Sequence, residues 1–295
     1  MAQDIRLTSA NLAASVSTIG AELVSLAHSR HGEMLWQADA AWWDRSSPIL
    51  FPVVGRCAGD SIRVGATDYP MPLHGFAHSM EFVVVASADD RCLLRLEDTP
   101  ATRRRYPFAF QLDIAYLLRG DDLSVEATLR NPSGASLPAS FGFHPGFRWP
   151  LAPGIAKERH QIVFDADEHL DVSRARDGLL LPGSSPVDLR DGVLPLSETL
   201  FGQGAMVLLG PKSRRIRFGA PGAPLAVDIG FDNLPSLGLW SKPGAGFLCI
   251  EPWAGHADPV GFDGDIFGKP GLVALGPGAE ARFAMHLAIR TGVRQ

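Results

Sequence analysis

The chain has 295 residues, a formal charge of −5 and 46% hydrophobic residues. That hydrophobic fraction supports a sizeable core and excludes a disordered or low-complexity chain, while the negative charge removes the electrostatic basis for binding nucleic acid or an anionic membrane. Cys57, Cys92 and Cys249 are widely spaced with no CxxC pair, which fits reduced thiols rather than a disulfide framework.

The first residues, "MAQDIRLTSANLAAS", carry an acidic residue early and lack the continuous apolar core of a signal peptide. No apolar run approaches the ~18 residues of a membrane span, so the expectation is a soluble, cytoplasmic protein. Short β-type runs broken by turn residues then follow one another: "IRLTSANLAASVSTIG", "MEFVVVASADDRCLLRLED", "FAFQLDIAYLLRGDDLSVEATLRNPSG", "AMVLLG", "RIRFGA" and "LAVDIGF". Phe110, Leu112 and Ile114 alternate with polar residues, as do Leu123, Val125, Ala127 and Leu129, and Gly120-Asp121-Asp122 between them reads as a hairpin turn. The basic run Arg103-Arg104-Arg105 reads as a solvated loop flank. Helical periodicity is scarce, and the best candidate is a short segment near "DADEHLDVSRA". Residues 150–200 read as a loop-rich elaboration on a sheet surface. With no linker and no internal repeat, the chain reads as one all-β domain, 1–295, built as an antiparallel sandwich or barrel.

Four stretches carry chemistry. In "ILFPVVGRCAGD" an apolar strand ends at Arg56, either a surface arginine or a fork of donors for hydroxyls or a carboxylate. In "PLHGFAHSMEF" His74 and His78 have the i, i+4 spacing of zinc ligands on a helix, but Gly75 and the strand-like residues afterwards argue against a helix, so no metal site is expected. "SFGFHPGFRWPL" sets His144 among aromatic residues, where an imidazole needs a partner or a task. In "FLCIEPWAGHADP" an apolar strand delivers Glu251, whose desolvation would move it toward the range of a general base, unless it makes a structural ion pair with a residue such as Arg56. His256 and Asp258 read as loop residues. A histidine and a glutamate among aromatics fit acid–base chemistry on a carbohydrate, because aromatic faces stack on sugar rings while a few charged groups bond the hydroxyls. No nucleophile motif is present.

The sequence resembles the aldose 1-epimerase (mutarotase) family, most closely its bacterial epimerase-like branch with an HPGF motif. The resemblance runs the length of the chain through "GAELVSL", "ILFPVVGR", "LHGFAH", "FGFHPGF", "GLWSKPGAGFLCIEPWAGHAD" and "KPGLVALGPGAEARF". It implies a large antiparallel β-sandwich of the galactose mutarotase-like type, with Glu251 as general base, His144 as general acid, and Arg56 and His74 as sugar-binding residues. The implied reaction opens the ring of a free aldose to its aldehyde and recloses it as the other anomer, with no metal, nucleotide or covalent intermediate. Two departures stand out. His78 and Ser79 replace the arginine and acidic residue that commonly follow "HGFA", and Gln203-Gly204 stands where related sequences often carry an aspartate that binds a sugar hydroxyl. The motifs therefore leave the sugar open. The competing readings are a hexose-6-phosphate 1-epimerase, to which Arg148 and the 103–105 run could contribute phosphate ligands, and a non-catalytic sugar-binding protein. The expected partner is a small-molecule sugar, with no nucleic acid and no membrane, and the expected state is a monomer or homodimer, which the sequence leaves open.

Overall fold

The computed structural model describes residues 3–292. It is nearly all β, with short 3-10 turns and one four-residue helix, Pro100–Arg103, whose start is fixed by a capping box between Thr99 and Thr102. Two nine-stranded antiparallel sheets form its body. One sheet runs from Val83–Ala88 through Arg91–Glu97, Gln111–Arg119, Asp122–Arg130, Glu280–Thr291, Leu225–Asp232, Arg215–Gly219 and Gln161–Phe164 to Val193–Pro195. The other runs from Leu179–Leu180 through Asp171–Arg176, Ala205–Leu209, Ser236–Trp240, Phe247–Ala254 and Phe141–Phe143 to Ile49–Leu50. Here Gly146–Arg148 also pairs with Phe247–Ala254, and Ser185–Pro186 with Asp171–Arg176.

The two-residue period of the sequence becomes the two faces of each sheet. Leu112, Ile114, Leu123, Val125, Ala127 and Leu129 are all buried, and Arg119 pairs with Asp122 across the expected hairpin. They share one core with the second sheet's Met206, Leu208, Leu237, Leu239, Leu248 and Ile250. The intervening residues of those strands point the other way. Ala205, Val207, Trp240, Glu251 and Trp253 line a cavity on that opposite face. Sheet alternation thus separates what stabilises the fold from what faces the cavity.

Two local expectations differ from the structure. The segment expected to be helical contains the strand Asp171–Arg176, paired with Ala205–Leu209. Residues 150–200 are no surface elaboration: they supply edge strands to both sheets. Short strands of two to six residues offer too few residues for a period to be recognised, and cross-strand pairing decides them.

Asp258, read from sequence as a loop residue, forms a buried ion pair with Lys269 and accepts a hydrogen bond from the Ala58 N–H at 2.8 Å. Lys269→Met is expected to destabilise the protein by about 3–5 kcal/mol, because it leaves a buried carboxylate uncompensated. Adding Asp258→Asn should recover part of that loss in a denaturant titration. A Lys269→Met variant as stable as the parent would show that the pair does not hold this turn.

Candidate active site

Antiparallel register brings the two most informative sequence stretches together. Gly142 pairs with Trp253 and Gly146 with Cys249, so the intervening His144 falls opposite Glu251. The result is a contact of 3.1 Å between His144 Nε2 and Glu251 Oε2. Both residues are buried, His144 5% and Glu251 2% exposed, and both line a cavity of about 750 Å³, a volume in the range of small-molecule sites. The Pro145 carbonyl accepts from the Ile250 N–H at 3.2 Å and fixes the backbone between the two paired segments.

Aromatic rings enclose the pair. Trp43 stacks on His144 with ring centroids 4.9 Å apart, and Trp240 and His74 meet the same imidazole edge-on at 6.0 and 5.3 Å. Trp43 comes from a segment that buried Glu22 secures by accepting from the Ser46 and Ser47 N–H groups at 2.7 and 3.0 Å. Trp253 lies across two glycines of the strands flanking its own. A Cβ on Gly142 would fall 2.6 Å from its Cδ1, and one on Gly238 would fall 2.4 Å from its ring edge. Only hydrogen at both positions lets the indole lie against the sheet. Gly238→Val is accordingly expected to displace Trp253, quench or shift the protein's tryptophan fluorescence and abolish any sugar binding in this cavity. An unchanged spectrum and unchanged binding would show that the close approach is not needed.

Burial works on the two charges in opposite directions. It pushes the Glu251 carboxyl well above its ordinary value of 4.5, a rise opposed by the nearby Trp253 indole N–H, which does not reach full hydrogen-bond geometry with any described residue. It pushes the His144 imidazole well below 6.5, helped by His74 and His78 and opposed by its own backbone. His74 is lowered to about 3 by burial and by His78, and its Nδ1 accepts from the Gly55 N–H at 3.1 Å. That bond assigns the His74 proton to Nε2. Six buried side-chain polar atoms lack partners among the described residues, and three of them, on His78, His144 and Trp253, belong to cavity-lining residues. Such concentration of unmet hydrogen bonding marks a place built for a ligand.

Of the expected site residues, His144, Glu251 and His74 share the cavity surface, and Arg56 does not. The Arg56 guanidinium bonds Asp60 at 2.6 Å, and its backbone N–H donates to Gly178 at 2.9 Å, beneath the turn at Asp177–Gly178 that does line the cavity. Arg56 therefore supports the cavity wall. Glu251 makes its close contact with His144, so the structural Glu251–Arg56 ion pair does not form. Gly204 lines the cavity, so the position where related sequences often carry an aspartate faces the site without a carboxylate. Arg148 and the 103–105 run lie elsewhere. The cavity's cations are Arg45, Arg176 and Lys242, accompanied by Asp44 and Asp177, and Arg45 is already paired with Glu22 at 3.4 Å. Sequence reading missed Trp43 and the 175–178 hairpin tip, which carry no local chemical signal. Among the described residues, the ligand atoms of His144, Cys249 and Glu251 lie within 4.8 Å of one another, the group chemically suited to a metal ion.

Two nine-stranded antiparallel sheets carrying a buried histidine–carboxylate pair define a β-sandwich of the galactose mutarotase-like type. The chain belongs to the aldose 1-epimerase family, whose model matches residues 3–260. It is similar to the chromosomal protein LacX of Lactococcus lactis subsp. lactis, with 28% identity across 92% of this chain and 95% of that protein. Among solved structures it resembles a galactose mutarotase related enzyme from Lactobacillus acidophilus, at 27% identity and a TM-score of 0.92 over 99% of both chains. A galactose mutarotase-like protein from Lactobacillus casei superposes with a TM-score of 0.88 at 27% identity, over 98% of this chain and 100% of that one.

Proposed function

We propose that the chain is an aldose 1-epimerase that interconverts the α and β anomers of a free aldose. The observation that carries this reading is the buried 3.1 Å contact between His144 and Glu251 at the cavity surface. Ring opening removes a proton from the anomeric hydroxyl and delivers one to the ring oxygen. Both oxygens are bonded to the same carbon, so an acid and a base must stand side by side, as these two do. In the assignment implied by the family, Glu251 takes the hydroxyl proton while His144 protonates the ring oxygen. Rotation about the bond next to the aldehyde presents the other carbonyl face, and closure with the two roles exchanged yields the other anomer. One turnover therefore uses each group in both directions, and a pair that shares a single proton is suited to that exchange.

Trp43, Trp240 and Trp253 supply apolar faces for the sugar ring and limit water around the proton transfer, and His74 offers an Nε2–H donor. A protein that only bound sugar would have no use for a matched acid and base, which favours the enzyme over a binding module. With Arg45 committed to Glu22 and two acidic residues at the same rim, the charge balance favours a free sugar over a phosphorylated one. The test is anomer exchange, followed by polarimetry across several aldoses. Absence of catalysis above the spontaneous rate for every sugar would overturn the reading.

The proposed steps need no metal. Exhaustive dialysis against a strong chelator is expected to leave the exchange rate unchanged. Loss of activity that returns with one added metal would transfer the chemistry to an ion held by His144, Cys249 and Glu251.

A further inference from the structure

His78 lines the same cavity as the catalytic pair, yet the reaction as derived gives it no task. Its backbone, in the three-residue 3-10 turn Ala77–Ser79, is held by two neighbouring segments. The His78 carbonyl accepts from Arg45 Nη1 at 3.3 Å. Gly20 packs directly on it: a Cβ there would lie 2.5 Å from the His78 oxygen, and the Gly20 N–H donates to the Met80 carbonyl at 2.7 Å. The ring, by contrast, hydrogen-bonds to no described residue, and its Nδ1 is enclosed without a partner. A histidine retained for structure would use its ring nitrogens, since enclosing them unpaired costs stability. Here the main chain does the positioning and the ring is left over.

The chemistry of that leftover ring narrows what it can bind. Burial and the neighbouring Arg45 lower it to about 4, against the opposing influence of Asp44. At neutral pH the imidazole is uncharged, so it presents a donor or an acceptor and no cationic charge. Such a group matches a hydroxyl, which can answer in either sense, and is poorly suited to hold a phosphate or carboxylate. Its charge is felt at both His74 and His144, so the ring is near the reacting centre. Both oxygens on the anomeric carbon are taken by His144 and Glu251.

We propose that His78 is a substrate-binding residue whose ring hydrogen-bonds a sugar hydroxyl away from the anomeric carbon, making it a determinant of which neutral aldose the site accepts. The inference rests on the reading of the cavity as an aldose site. It also gives a use to one departure of this sequence from its relatives, the histidine that replaces an arginine after "HGFA".

The experiment compares the wild type with His78→Ala and His78→Gln, whose amide can take the place of a ring nitrogen. Steady-state anomer exchange is measured on the best aldose and on its monodeoxy analogues. His78→Ala is expected to raise KM about tenfold with kcat changed by less than about twofold, the signature of lost uniform binding, and His78→Gln should restore most of the affinity. One monodeoxy analogue, lacking the contacted hydroxyl, should show the same KM with wild type and His78→Ala. An unchanged KM for His78→Ala on every sugar that wild type turns over would overturn the inference while leaving the epimerase reading intact. So would a fall in kcat shared by both variants with a lowered melting temperature, which would mark a structural role. A wild type inert toward all sugars would instead overturn the epimerase reading itself, and the His78 assignment with it.

Discussion

Glu251→Gln and His144→Gln are each expected to lower kcat by about two to four orders of magnitude, the usual worth of a positioned acid or base. Both changes keep side-chain size and hydrogen-bonding capacity near those of the parent while removing the exchangeable proton. The double variant should be little worse than the poorer single one, since the two groups act as a unit and losses within a unit do not add. Stability should move the other way for Glu251→Gln. Burial holds the folded carboxyl above its unfolded value of 4.5, so keeping Glu251 in the fold becomes less favourable as pH rises from that value toward its folded one. The neutral amide removes this penalty, and at neutral pH the variant should melt no lower than wild type. Either variant retaining near-wild-type turnover in the polarimetric assay, with a native circular dichroism spectrum, would remove that residue from the chemistry.

The strand pattern was readable from sequence wherever a strand is long enough to show its period. Gln111–Arg119 and Asp122–Arg130, nine residues each, declare both their inward face and their turn. The strand Phe247–Ala254 is buried along its whole length, and alternation within it still placed Leu248 and Ile250 in the core and Glu251 and Trp253 at the cavity. What sequence could not show was register between distant strands. His144 and Glu251 are candidates separately, and only the pairing of Gly142 with Trp253 and Gly146 with Cys249 makes them neighbours. Trp43 and the turn at Asp177–Gly178 reach the site through long-range packing, with no motif to announce them. Arg56 is a position that strand-end placement alone does not decide: family context points to a ligand, while in the structure its guanidinium bonds Asp60, four residues on. The glycines beneath Trp253 were visible in "FGFHPGF" and "SLGLW", yet their purpose depends on an indole contributed by a third strand.

The dependence on pH is the other large effect. The working pair carries one proton: losing it leaves no acid, and gaining a second leaves no base. For exposed groups at 4.5 and 6.5 that proton would sit on the imidazole, the acidic limb of kcat/KM would belong to Glu251 and the basic limb to His144, which is the assignment expected from sequence. Burial works against that order, raising the carboxyl and lowering the imidazole, so it favours the neutral pair, with the proton on Glu251, over the ion pair. In the neutral pair the acidic limb marks addition of a second proton to His144 and the basic limb marks loss of the proton from Glu251, although apparent values belong to the coupled pair. His144 also contributes to stability with a definite sign: because its folded value lies below 6.5, stability increases as pH rises from that folded value to 6.5. The expected result, after subtracting spontaneous mutarotation at each point, is a bell-shaped profile. An isotope-edited infrared spectrum of the free enzyme at neutral pH should show a protonated carboxyl band that disappears in Glu251→Gln. A fully ionised Glu251 under those conditions would return the limbs to their ordinary owners, and a flat profile from acid to base would remove the pair as the titrating groups.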